Sequence, residues 1–516
     1  MVKSHQTLNT YANKWLAFIG IALLSFGCYL DYTVVNVALP TIQQELHTDL
    51  TSLQWVMNIY FLALCILATI MGRLGDVYGR RRCFYIGSGI FAVASIVAGL
   101  APTIDWLIFG RLLQGIGAAI VLPLGPSLLP QSFPKEERGK SIAWLGSMGG
   151  IALALGPVLG GVIVMHWSWR WIFFINIPII LLGYILCFKS VNESSVEQKQ
   201  SFLDIKGMVF LTLAMGGIVL SLIHSQTGGW NNSVTLTYLI IGIVSTALLI
   251  FVEKQQDNPL IDFRDFSNLL FYAGSLLCFL AGVLSAVTLF FDPLYLQIIR
   301  NESVQLSGLV LFAIPIAVFT GAFFVGWLIS RLGIVNTILL GLIIALVAAT
   351  LQLFFISTTP LWYVIIAFIC LGFMWGLGNT VPIIAAQTAV GPDRISAATG
   401  TIVTMFNVGG SIGLAIAVVT YHFFTSNSLN QLSQTYGAQI DAAKLNYLKK
   451  IISTPSDSLH TVMNEFMHTV FNEIFLGGFT AVMWFIVILS SLSFFSVLIW
   501  KMIGHRTNAT SRLKKT

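Results

Sequence analysis

Charge is what this chain has least of. Only 9% of its 516 residues are charged, against roughly a quarter in a soluble domain, so an ordinary water-soluble protein is excluded. Cysteine is equally sparse. The six, Cys28, Cys65, Cys83, Cys187, Cys278 and Cys370, have no paired spacing. They read as small apolar packing residues and not as a disulfide framework or a metal site. Histidines such as His166, His224 and His422 are scattered, and no cluster of acids, histidines or serines marks a membrane enzyme. A Gly-x-x-x-x-Gly-Lys loop is missing too, which argues against ATP as this chain's own energy source.

What the chain has in quantity is apolar length. Hydrophobic residues make up 56% of it, the mean hydropathy is +0.85, and the 45 glycines suit helices that approach closely in lipid. Runs of about 20 apolar residues predict fourteen spans near 15–37, 51–71, 83–101, 104–128, 141–165, 171–189, 207–224, 235–252, 268–291, 305–329, 334–356, 360–387, 398–424 and 470–500. The first run is too long for a signal peptide and reads as a mature helix. An even count places both termini on one side. With that side cytoplasmic, the external loops carry only Arg170, Arg300, Lys444, Lys449 and Lys450, and Arg111 lies within a span. All other Lys and Arg fall inside, in clusters such as Arg80-Arg81-Arg82, which fixes the orientation. The net charge of +6 is thereby a topology signal and not a nucleic-acid one.

Two motifs repeat at nearly one offset. Gly72, Asp76 and Gly79 recur as Gly326, Ser330 and Gly333; Gly156, Pro157 and Gly160 recur as Gly409, Gly410 and Gly413. Duplication of a six-helix unit explains both. The expected fold is all-α and polytopic: an N-terminal six-helix half (1–190), a linker with two extra spans (191–266), and a C-terminal half (267–516) with a polar external loop at 425–469. Within that loop, Gln434–Ile452 could form an amphipathic helix. Such repeats place a transport site at their interface near mid-membrane.

Three ionisable residues stand out. Asp31 interrupts the first span, in Leu30-Asp31-Tyr32-Thr33-Val34-Val35-Asn36, where a carboxylate costs roughly 2.5–3.5 kcal/mol on insertion scales. It is a candidate for a proton or cation site, or for a structural bond. Arg111 must face the bundle interior, as a fixed ion pair or carbonyl clamp or as a modulator of a protonatable acid. Asp292, before Pro293 at the outer end of the ninth span, is either a second proton or cation site or a helix-end acid facing external water.

The run Gly72-Arg73-Leu74-Gly75-Asp76-Val77-Tyr78-Gly79-Arg80-Arg81-Arg82 carries a tight turn, and its Asp76 is expected to cap the third span. Gly156-Pro157-Val158-Leu159-Gly160-Gly161 is expected to bend the fifth. With Arg111-Leu112-Leu113-Gln114-Gly115 and Trp169-Arg170-Trp171-Ile172-Phe173-Phe174-Ile175-Asn176, these stretches resemble the major facilitator superfamily. More narrowly they resemble its fourteen-helix drug:proton antiporters, which include quaternary-ammonium exporters.

That resemblance implies a non-enzymatic, monomeric exporter of hydrophobic cationic or neutral molecules in the bacterial inner membrane. It implies no cofactor beyond a proton gradient, and leaves a periplasmic adaptor as a further candidate partner. It also implies a conformational latch at Gly72, Asp76, Gly79 and Arg80, a hinge or half-to-half contact at Gly156, Pro157, Gly160 and Gly161, and proton coupling through Arg111. Phe406-Asn407 stand where this branch often has an Arg-Gln pair, a departure that leaves export of a single endogenous metabolite as the alternative. A non-transporting sensor or a membrane-embedded transferase is the alternative of another class. Aromatics and methionines including Trp55, Tyr60, Trp144, Trp375 and Phe406 could line a cavity, but each suits a lipid-facing or core position better and no periodicity selects among them.

Overall fold

The computed structural model describes residues 13–48, 50–191, 204–256, 259, 261–435 and 465–513. Among them the chain is helical throughout, without a strand. This is the expected outcome where backbone groups have no water to bond and must be satisfied within each segment. The first unit comprises α1 (Lys14–Leu46), α2 (Leu50–Tyr78), α3 (Arg80–Gly99), α4 (Ile104–Leu128), α5 (Arg138–His166), the single turn α6 (Trp171–Phe174) and α7 (Asn176–Ser190). Then come α8 (Ile205–Gly228) and α9 (Ser233–Glu253). The second unit comprises α10 (Leu269–Leu294), α11 (Val304–Leu311), α12 (Ala313–Leu332), α13 (Ile334–Gln352), α14 (Leu361–Ala389), α15 (Ile395–Thr435) and α16 (Glu465–Leu513).

Thirteen helices among the described residues are long and apolar enough to cross a bilayer. The expected span outside that set is α5, which is 29 residues long. Two helices run well beyond their expected limits. α15 continues to Thr435 and α16 begins at Glu465, because hydropathy marks the lipid-facing stretch and not the helix that projects from it. The expected amphipathic segment at Gln434–Ile452 lies almost wholly outside the described residues.

Packing repeats between the units. α1 packs on α5 as α10 packs on α15, and α2 packs on α4 as α12 packs on α14. The turns before α3 and α13 match as well: Gly79 has φ 102° and Gly333 φ 79°, a region closed to most side-chain-bearing residues. α2 with α15 and α5 with α12 form the main contacts between the units. α8 and α9 pair with each other, and α8 leans on both α2 and α15.

Polar contacts sort the helix ends onto two faces. On one, Lys14 pairs with Glu137 at 2.7 Å, Arg81 donates to the carbonyl of Phe188 at 3.2 Å, Arg394 meets Asp265 at 2.9 Å, and Lys501 donates to Asn336. On the other, Arg170 pairs with Glu45 and Arg300 bonds the carbonyl of Thr359. Both described chain ends therefore share the lysine- and arginine-rich face, hereafter the basic face.

Candidate functional site

Asp31 and Arg111 are fully buried, and they are bonded to each other. Arg111 Nη1 donates to Asp31 Oδ2, while its Nε donates to the carbonyl of Val56 at 3.1 Å. The guanidinium lies 4.4 Å from the centre of the Tyr60 ring, and Tyr60 is itself fixed by a 3.1 Å bond from its hydroxyl to the carbonyl of Cys28. Arg111 is thus both an ion pair and a carbonyl clamp. A charge of this kind is tolerated in lipid only when so compensated.

Two further side chains complete the site. Gln114 Nε2 and Asn176 Nδ2 each donate to Asp31 Oδ1 at 3.2 Å. Gln114 also accepts from Arg111 Nη1 at 3.0 Å and donates to Ser95 at 2.9 Å. The two amides stand 83 and 145 positions from Asp31. Neither is singled out by sequence reasoning, although each is an uncommon polar residue in an apolar span, which is the signal that could have found them. Arg111 Nη2 and Asn176 Oδ1 have no hydrogen-bond partner, so the network retains bonding capacity for a second arrangement.

α1 presents a different face to α5. Thr33 donates to the carbonyl of Leu153 at 3.1 Å. Leu153 lies four residues before Pro157, whose missing N–H leaves that carbonyl without its helical donor, and Thr33 supplies the replacement. α5 stays helical through 166, and a Cβ on Gly156 would overlap Thr33. At Gly156 the motif is therefore in contact with α1 of its own unit. Gly160 is buried, whereas a Cβ on Gly161 would meet nothing within 4 Å. Contact with the opposite unit is made two turns earlier, where Gly150 lies against Val318. Thr33→Val is expected to leave the Leu153 carbonyl unbonded and to lower stability by about 1–3 kcal/mol, with Thr33→Ser near wild type. Thermal unfolding in detergent reads this directly, and a valine variant as stable as the parent would remove the role.

The latch residues meet the second unit. Arg80 bonds Asp76 at 2.9 Å and the carbonyl of Pro392 at 2.6 Å. Asp76 accepts from the backbone N–H of Ser396 at 3.3 Å and of Ala397 at 2.9 Å. It caps α15 and not α3 as expected. Local spacing cannot distinguish the nearer helix start from one that tertiary packing brings alongside, 320 residues away. Gly72, one turn earlier, lies so close to Ser396 that a Cβ would overlap its carbonyl oxygen. Arg394 holds the same segment from the other side through Asp262 and Asp265. Burial raises the Asp265 carboxyl above the usual carboxylate range, and Arg394 opposes that rise.

Asp292 is not a water-facing helix-end acid. It is fully buried and neither carboxyl oxygen has a hydrogen-bond partner, because α10 continues past Pro293 into a π-helical turn at Tyr295–Ile299 and carries the acid inside the packed second unit. Nothing in the structure brings it to Asp31 or Arg111. Gly372 packs on α12 as Gly115 packs on α2, and four residues before Gly372, where Arg111 stands before Gly115, is the buried Phe368; Asp31, Arg111, Gln114 and Asn176 all belong to the first unit.

A narrow cleft lies between the units. Ser25 and Tyr29 of α1, Leu122 and Pro126 of α4, α5 from Ile142 to Leu153, and Asn379, Thr380 and Ile383 of α14 line it. Tyr60, Trp144, Trp375 and Phe406 are not among the residues that line it. Tyr60 lies beneath Arg111, Trp144 stacks on Trp15 with ring centres 5.1 Å apart, and Trp375 stacks on Phe406. Asn407 instead accepts from the Tyr32 hydroxyl at 3.2 Å across the unit boundary.

Against this geometry, residues 21–414 match the model of the Major Facilitator Superfamily. The chain belongs to that superfamily. It is a multi-pass membrane transporter. It is 33% identical over 407 residues to the multidrug resistance protein Stp of Mycobacterium tuberculosis, covering 78% of this chain and 74% of that protein. It is 30% identical over 407 residues to the tetracenomycin C resistance and export protein of Streptomyces glaucescens, covering 78% and 75%. The crystal structure of the human organic anion transporter MFSD10 (TETRAN) superposes with a TM-score of 0.59 over 95% of this chain and 99% of that one. At 14% identity that likeness shows the superfamily fold alone. Both relatives are named for resistance, and the second for export as well.

Proposed function

We propose that this transporter is a proton-coupled antiporter exporting hydrophobic small molecules across the bacterial inner membrane, as a monomer with its basic face and both ends in the cytoplasm. The observation that carries the reading is the buried Asp31–Arg111 pair, bonded through Gln114 and Asn176. Protonation of Asp31 would cancel one charge of the pair and free Arg111 to bond elsewhere. Because α1 also carries Thr33, bonded to α5, a change at Asp31 is transmitted along one rigid helix to the unit boundary. Proton entry supplies roughly 2.3 kcal/mol per 100 mV for each charge moved.

Asp76, Arg80 and Arg394 bond the α15 start in this conformation, which suits a gate closed on the cytoplasmic side between α2 and α15. Asp292 is proposed as a second protonation site, since a buried carboxyl without partners is tolerated best as the neutral acid. Export of one endogenous product remains the second reading, favoured by Phe406 standing in place of a charged residue and by the kinship with an export protein for a single antibiotic.

Inside-out vesicles containing the full chain test the proposal. Drug uptake should follow an imposed pH gradient and collapse on adding a protonophore. Uptake that persists undiminished with the protonophore would defeat proton coupling.

A further inference from the structure

Asp31, Tyr32 and Thr33 follow one another on α1, and successive residues on a helix point about 100° apart. The three therefore engage different neighbours. Asp31 bonds Arg111, Gln114 and Asn176 of α4 and α7, and Thr33 bonds α5, all within the first unit. Tyr32 crosses the boundary, its hydroxyl donating to Asn407 Oδ1 on α15 at 3.2 Å. Asn407 is 7% exposed, and its Nδ2 donates to the Val403 carbonyl one turn earlier at 2.8 Å. Both ends of that amide are thus occupied.

Tyr32 is also in ring contact with the Asp31 network. The Arg111 guanidinium lies over the Tyr60 ring. The Tyr60 and Tyr32 rings meet edge to face with centres 6.2 Å apart, and Phe61 flanks Tyr32 at 4.2 Å. Three donors hold the Asp31 carboxylate to α4 and α7, and neutralising it weakens those charge-assisted bonds and frees α1 to turn. A turn of about 15° moves an atom roughly 6 Å from the helix axis by about 1.5 Å. That displacement is enough to part a bond of 3.2 Å.

Asn407 stands on the helix that the latch holds. One turn toward the basic face, Thr404 bonds Thr69 at 2.9 Å. A turn further, Gly400 leaves no room for a Cβ against the Ala68 carbonyl, and then the Ser396 and Ala397 N–H groups donate to Asp76. Positions 396 to 407 of α15 therefore form one seam with the first unit, about 16 Å of continuous helix.

Resting on the proton-coupled reading above, we propose that Tyr32 and Asn407 are positioning residues that carry the protonation state of Asp31 to α15, and through α15 to the latch. Their bond holds α15 in register while Asp31 is ionised and parts when Asp31 is neutral.

The test is a double-mutant cycle in the full chain, read at the latch. Ser396→Cys places a thiol at a position wholly buried in the parent. Its reaction with an impermeant maleimide in inside-out vesicles, corrected for the native cysteines, reports opening as a rate per molecule. Asp31→Asn imitates the neutral acid and should speed labelling about tenfold; with Tyr32→Phe or Asn407→Leu already present it should do so less than about twofold. Those two variants remove the bond from opposite sides, so a folding defect in one does not decide the result. Thr69→Val removes a bond of the same seam that does not touch α1, and there the acceleration by Asp31→Asn should survive. Acceleration that persists with both Tyr32→Phe and Asn407→Leu, or that Thr69→Val also removes, overturns the relay and leaves proton-coupled export standing. Labelling that Asp31→Asn does not accelerate even in the parent disconnects Asp31 from the latch, and the proton-coupled reading falls with the relay.

Discussion

Asp31→Asn is expected to abolish uphill efflux while leaving downhill exchange of substrate across the membrane intact. Asparagine keeps the shape of the side chain and can still bond Gln114 and Asn176, but it carries no titratable proton. One proton entering down 100 mV is worth roughly 2.3 kcal/mol, which sustains a substrate ratio of about fifty at one proton per substrate. Without the carboxyl that ratio should relax to unity. The substitution also strands Arg111, and removing one partner of a buried pair typically costs about 3–5 kcal/mol, so lower abundance is expected. Adding Arg111→Gln to Asp31→Asn should recover abundance but not accumulation. Accumulation is read as the steady-state ratio of labelled substrate in vesicles, normalised to protein. An Asp31→Asn transporter that still concentrates its substrate would remove Asp31 from the coupling mechanism.

Gly72→Ala is expected to be nearly as damaging, for a steric reason. The added methyl would overlap the carbonyl oxygen of Ser396 and lie 3.4 Å from the Cα of Ala397. Backbone stands on both sides, so no rotamer change relieves the clash; α2 and α15 must separate. The bonds from Asp76 to the Ser396 and Ala397 N–H groups and from Arg80 to Pro392 lie one to two turns along the same contact and would lengthen with it. Transport should fall by about tenfold or more, a loss of at least 1.4 kcal/mol from the closed gate. The direct readout is Ser396→Cys, at a position wholly buried in the parent, labelled with an impermeant maleimide in inside-out vesicles. Labelling should accelerate sharply when Gly72→Ala is added; an unchanged rate would show that the two helices are not held by this contact.

The limits of sequence reading follow from the same residues. Gly79 and Gly333 were legible as a repeated turn because positive φ is a local demand that glycine answers locally. Asp76 was legible as a capping residue but not in its partner, since capping chemistry is the same for an adjacent helix and for one belonging to the other unit. Asp292 kept a water-facing reading beside that of a proton or cation site because hydropathy falls at Asp292 and Pro293, although the helix continues. Which aromatics face a cavity was not legible for a related reason: large apolar residues are interchangeable to a hydropathy scale, and only packing decides which face lipid, core or cleft.

What the sequence determined by itself is the solvent of each segment. Sparse charge, long apolar runs and asymmetric lysines and arginines specify a polytopic helical protein with paired ends, and they single out Asp31 and Arg111 as expensive residues that require compensation. Transfer energies are properties of short stretches, so they can be read in order along the chain. Which groups provide the compensation was decided only by tertiary structure. Gln114 and Asn176 reach Asp31 from distant helices, and Thr33 bonds the carbonyl that Pro157 leaves open. The bonds to Asp31 and to the Leu153 carbonyl depend on how close-packed helices rotate and register against one another, a non-local outcome that no single stretch encodes.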